Sequence, residues 1–158
     1  MAINPNTDFS SGAVLTAAQQ NRFPRGVMAF ANSTTSMNLT TSSQIATGMT
    51  VTFTAVASRY YRITYYESFV GAPSVAGGFV VTNIKLTNAV GTQYSSAIFQ
   101  TAGTALNSAI TNIYVGTFGA GSVTIVGCAS ASSITGTPVL NRASTYPAQI
   151  TVEDIGPA

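Results

Sequence analysis

Met49-Thr50-Val51-Thr52-Phe53-Thr54-Ala55 places apolar side chains at the odd positions and threonine at the even ones. A helix returns to the same face every three or four residues. A return at every second residue is the geometry of an extended strand with one dry face and one wet one. The run Arg59 to Val70 keeps that phase, with Tyr61, Ile63, Tyr65 and Phe69 on one side and Tyr60, Arg62, Thr64, Tyr66 and Ser68 on the other. Glu67 falls on the apolar side, near the strand's end. Between the runs, Ala57-Ser58 is short enough for a hairpin turn, so the two are expected to pair directly.

Further runs lie on either side, at 26–31, 37–45, 78–87, 92–100, 109–118, 122–130, 136–140 and 148–152. Gly71-Ala72-Pro73, Asn88 to Gly91, Gly119-Ala120-Gly121 and Thr145-Tyr146-Pro147 separate several of them with turn residues. Many short strands at this spacing predict an all-β fold, a jelly-roll-like antiparallel β-sandwich of about ten strands. Thr101–Ser108 reads as a helical turn or a loop. The first 25 residues differ in character: Asn4-Pro5-Asn6 and Ser10-Ser11-Gly12 predict an extended arm. One short helix should follow, because Thr16 stands three residues before Gln19 in a capping-box spacing and Pro24 and Gly26 stop it. The expected organisation is a docking arm with a short helix over 1–25 and a β-sandwich domain over 26–158.

Charged residues make up 6% of the chain, against about a quarter in ordinary soluble domains. So few charges leave much of the surface to Ser, Thr and Asn, or to contact with neighbours in an assembly. The six bases, Arg22, Arg25, Arg59, Arg62, Lys85 and Arg142, are scattered, so no phosphate-neutralising stripe for nucleic acid is expected. No apolar run is long enough to predict membrane insertion. No basic-then-apolar leader is visible at the N-terminus, which suggests synthesis in a cytoplasm without the usual export route. The single cysteine, Cys128, reads as a small packed side chain.

The absence of histidine removes the commonest general base, the usual zinc ligand and every imidazole triad. The carboxylates are Asp8, Glu67, Glu153 and Asp154. Glu67 with either Glu153 or Asp154 is the one conceivable glycosidase pair, but neighbours on a strand point to opposite faces, so both cannot join it. Solvated or ion-paired carboxylates are the expectation, with no catalytic residue, cofactor or metal site. Gly116 to Gly121 lacks the lysine of a phosphate loop and reads as a wide turn. Tyr60 and Tyr66, with Arg62 beside them and Phe118 in a loop, are the candidate surface-binding residues. Such side chains fill interfaces or stack on sugars.

Residues 12–26 resemble an N-terminal segment of small virion proteins of tailed bacteriophages, especially those infecting actinobacteria, through Leu15, Thr16, Ala17, Ala18, Asn21, Pro24, Arg25 and Gly26. The ending Val152-Glu153-Asp154-Ile155-Gly156-Pro157-Ala158 is similar to theirs, and Gly48–Thr54 followed by Arg59-Tyr60-Tyr61-Arg62 resembles their first β-hairpin. The resemblance implies a non-enzymatic structural protein on the virion surface, either capsid decoration or a minor tail or tail-tip component. It further implies a homotrimer that contacts other virion proteins, capsid or tail. Leu15, Thr16, Asn21, Phe23, Pro24, Arg25, Asp154 and Ile155 are then the docking candidates. The alternative on the same particle is a receptor-binding knob that recognises host surface glycans.

Overall fold

A computed structural model describes residues 12, 14, 16–100 and 107–158. The expected arm before residue 12, the docking candidate Leu15 and most of the Thr101–Ser108 stretch lie outside the described residues. Among the described residues one helical turn, α1 (Ala17–Gln20), precedes ten strands. Eight are long: β1 (Gly26–Ser33), β3 (Ile45–Ala55), β4 (Arg59–Gly71), β5 (Phe79–Leu86), β6 (Gln93–Gln100), β7 (Asn107–Thr117), β8 (Gly121–Ala131) and β10 (Ala148–Pro157). Two are two-residue pieces, β2 (Met37–Asn38) and β9 (Val139–Leu140).

The strands form two antiparallel sheets packed as a sandwich. One contains β1, β10, β4 and β7, with β9 and β2 continuing beyond β10 on the same edge of β4; the other runs β3-β8-β5-β6. Counting only the long strands along the chain, the orders are 1-8-3-6 and 2-7-4-5. First pairs with last, second with seventh, third with sixth and fourth with fifth. The chain is therefore one long antiparallel ribbon whose tip is the β5–β6 hairpin. Rolling it up drops successive pairs into alternate sheets, which is the jelly roll expected from the period-two pattern.

The expected hairpin between Met49–Ala55 and Arg59–Val70 is not formed. β3 pairs with β8 and β4 with β10 and β7, so Val56–Ser58 is a corner at which the chain leaves one sheet for the other. Ser58 turns it with φ of 59°, and the Tyr61 hydroxyl accepts from the Val56 amide at 2.8 Å. Both strands can turn their apolar faces to one core this way, and the alternation alone does not distinguish a corner from a hairpin. The run 37–45 also splits, because Thr41 Oγ1 takes the Ser43 amide in a local turn between β2 and β3.

A second correction concerns Phe69. The β4–β7 register slips between Glu67 and Val70, so the phase inverts there: Phe69 is 38% exposed and Val70 is fully buried. The main core lies between the sheets, where Met49, Val51, Phe53, Tyr61, Ile63 and Tyr65 meet Ile84, Ile125, Ile150 and Val152. Leu39, Val70, Val80, Ile110 and Leu140 form a second cluster. Cys128 is buried, and burial pushes its thiol up.

Candidate functional site

Three charges occupy inward-phase positions, and each has a partner. Arg59 opens β4 in phase with Tyr61, and Asp154 lies on β10 in phase with Val152. Arg59 Nη2 donates to Asp154 Oδ1 at 2.8 Å, while its Nε donates to Oδ2. The same guanidinium donates from Nη1 to the Asn21 carbonyl at 2.5 Å and from Nη2 to the Phe23 carbonyl at 2.6 Å. Asp154 Oδ1 also takes the Gly156 amide at 3.0 Å. A buried ion pair is tolerated when its remaining hydrogen-bonding capacity is used in this way.

Glu67 is the third such charge, ion-paired with Arg142 from the segment after β9. Arg142 Nε donates to Glu67 Oε2 and Nη1 to the Thr47 carbonyl, each at 3.0 Å. The Tyr65 hydroxyl donates to Glu67 Oε1 at 2.5 Å and lies 2.9 Å from Thr47 Oγ1. Burial, and then the Glu67 charge, hold this phenol well above its ordinary value. The conceivable glycosidase pair fails on geometry. Asp154 lies opposite Tyr61, six positions from Glu67, hence about 20 Å away along the strand, and Glu153 points outward to Arg62. Each described carboxylate is held by an arginine.

The outer face of the β1-β10-β4-β7 sheet is a second feature. Its register aligns Val27, Glu153, Arg62 and Val115 in one row and Phe30, Thr151, Thr64 and Ile113 in the next. Val27 and Phe30 on β1 are 62% and 53% exposed, and Ile113 and Val115 on β7 are 58% and 50% exposed. Apolar flanks thus border a polar centre, where Arg62 Nε donates to Glu153 Oε2 at 2.8 Å.

The third feature lies at the corner of the roll. Because β3 pairs with β8 and β4 with β7, the connections 56–58 and 118–120 run side by side. Phe118 packs there against Phe53 and Tyr61 beneath it, with centroids at 5.8 and 5.9 Å, and against Tyr94 and Tyr114 beside it, at 5.6 and 6.2 Å. Tyr94 and Tyr114 lie 4.6 Å apart with planes 32° from parallel. Tyr114 lies back over Gly116, where a Cβ would sit 2.1 Å from its hydroxyl. Clefts of about 440 and 580 Å³ flank Phe118 and share Thr117, Phe118 and Gly119.

Of the residues singled out from sequence, Tyr60 and Phe118 meet in the second cleft. Tyr66 lies elsewhere on the outer face, level with Gln149 and Thr111, and Arg62 is tied to Glu153. Thr16 caps α1 as expected, its hydroxyl accepting from the Gln19 amide at 3.2 Å while the Gln19 side chain takes the Thr16 amide at 2.9 Å. Asn21 is the C-cap, Pro24 is exposed, and Arg25 reaches to 4.0 Å from Asp154. Asp154, expected at an external contact, is instead buried against its own chain, and Ile155 is half-buried. Tyr94 and Tyr114 were not anticipated. A tyrosine two residues before a glycine on one strand face was the available signal for Tyr114.

No family model matches the chain, and no curated protein matches it. Solved structures with some likeness include an arabinose-bound α-L-arabinofuranosidase, MgGH51, at 12% identity and a TM-score of 0.32, over 94% of this chain and 26% of that one. The infectious bursal disease virus Gx strain structure follows at 15% identity and a TM-score of 0.25, over 85% of this chain and 41% of that one. The chain thus spans about a quarter of the first and about two fifths of the second. Among the described residues no helix is long and apolar enough to cross a membrane.

Proposed function

We propose that this chain is a non-enzymatic structural protein of the surface of a tailed-phage virion, as capsid decoration or a minor tail component, assembling as a homotrimer. The particle rests on the resemblance of residues 12–26 and 152–158. The mode of assembly rests on one observation, the two apolar flanks on opposite edges of a single sheet face. Exposed apolar surface of this kind is normally covered by a partner. Two different patches at opposite edges suit a head-to-tail contact, β1 flank of one copy against β7 flank of the next, and three is the smallest ring such a contact closes. The commitment of the described carboxylates to arginines also favours a structural task over a hydrolytic one.

Imaging and quantitative protein analysis of purified virions test the location. Many copies on the head support decoration, a few at the tail support a tail component, and absence from the particle overturns the proposal. Light scattering on the isolated protein tests the trimer.

A further inference from the structure

We propose that the paired clefts around Phe118 bind an uncharged carbohydrate chain, with the Tyr94–Tyr114 pair and Phe118 as the stacking platform. This goes beyond the structural role above and stands apart from it. The aromatic cluster has two layers. Phe53 and Tyr61 are buried, and the Tyr61 hydroxyl is engaged at the Val56 corner. Tyr94, Tyr114 and Phe118 are half-buried, and the hydroxyls of Tyr94 and Tyr114 have no hydrogen-bond partner among the described residues. Closing the core would be served as well by phenylalanine or leucine. Two phenols whose hydroxyls have no hydrogen-bond partner among the described residues, beside an open cleft, instead suit a ligand that offers both C–H faces and hydroxyl groups.

The chemistry of the lining narrows the class. No charged side chain borders either cleft, so nothing there matches an anionic sugar or a phosphate. Thr87, Thr117 and Ser122 join Tyr94 and Phe118 in the lining of the first cleft. A pyranose sets its weakly positive axial C–H groups against the negative face of an aromatic ring and hydrogen-bonds at its rim. The cleft volumes lie within the range of small-ligand sites. Two clefts meeting at Phe118 give room for adjacent sugar units. Gly116 makes the platform possible, since any side chain there would push the Tyr114 ring aside, and Gly119 leaves the approach clear, with nothing within 4 Å of a built Cβ.

The chain has seven tyrosines and no tryptophan, so tyrosine emission reports occupancy of the cleft. The probes are uncharged hexasaccharides of gluco, galacto, manno and arabino configuration, a polygalacturonate oligomer and a proline-rich peptide. Saturable binding of at least one uncharged probe is expected at up to millimolar concentration. Gly119→Leu, which fills open space, and the double variant Tyr94→Phe with Tyr114→Phe, which keeps both rings, should each weaken it about tenfold or more. Three results overturn the proposal: no uncharged probe binds, only the polygalacturonate or the peptide binds, or both variants bind as tightly as the parent. A failure here leaves the virion role standing, because location and oligomeric state are read separately.

Discussion

Arg59 and Asp154 form a buried pair across 95 residues of chain, and the same guanidinium donates to the carbonyls of Asn21 and Phe23. One side chain thereby ties the segment after α1, the start of β4 and the end of β10 together. Residues from both ends of the described chain and from its middle thus meet at one buried guanidinium.

Arg59→Ala should therefore cost more than an ordinary surface change, about 3–5 kcal/mol, because Asp154 stays buried with only the half-exposed Arg25, 4.0 Å away, to offset its charge. Arg59→Lys should rescue little of it, since an ammonium cannot replace a fork that reaches one carboxylate and two carbonyls. Urea unfolding gives the loss, and limited proteolysis near Phe23 should accelerate in both variants. Unchanged cleavage there would show that the segment is held by something else.

Gly127 lies under the Tyr65 ring, where a Cβ would come within 2.8 Å of it. Gly127→Ala should cost about 1–3 kcal/mol through overpacking, read as a lowered urea midpoint with an unchanged slope.

Tyr65 sets an alkaline limit. Burial and the Glu67 charge raise its folded-state value well above about 10, where the unfolded phenol titrates. Below that pH both states hold the proton and the group adds no pH dependence. Above it only the unfolded state releases the proton, so stability falls, by up to about 1.4 kcal/mol per pH unit for this one group. Tyr65→Phe should be about 1–3 kcal/mol less stable at neutral pH, through the lost hydrogen bond to Glu67, yet flatter above pH ~10. Unfolding series for both proteins from neutral to strongly alkaline pH check the difference in slope.

The head-to-tail trimer makes a prediction that a two-fold dimer does not. Phe30→Lys and Ile113→Lys should each give monomers by light scattering, with the isolated fold changed by only about 0.5 kcal/mol. Mixed in equal amounts, they should form a heterodimer, because the intact β7 flank of one fits the intact β1 flank of the other. A mixture that stays monomeric, or either variant alone that stays trimeric, removes this face from the assembly.

Alternation from Met49 to Ala55 and from Arg59 to Tyr65 was enough to determine the strands, their inward residues and the all-β class, because side-chain period is a local property of extended backbone. Thr16 and Gln19 determined the capped turn for the same reason. Glu67 was visible in the inward phase, and a charge there calls for a partner, but strand phase cannot say which residue supplies it. Only the tertiary structure decided that Val56–Ser58 is a corner and not a hairpin, that the register slip after Glu67 turns Phe69 outward, and that Tyr94 meets Tyr114 beside Phe118. Each of these depends on which distant strand lies alongside, and pairing across a rolled ribbon is settled by packing over the whole core, to which no short stretch of sequence has access.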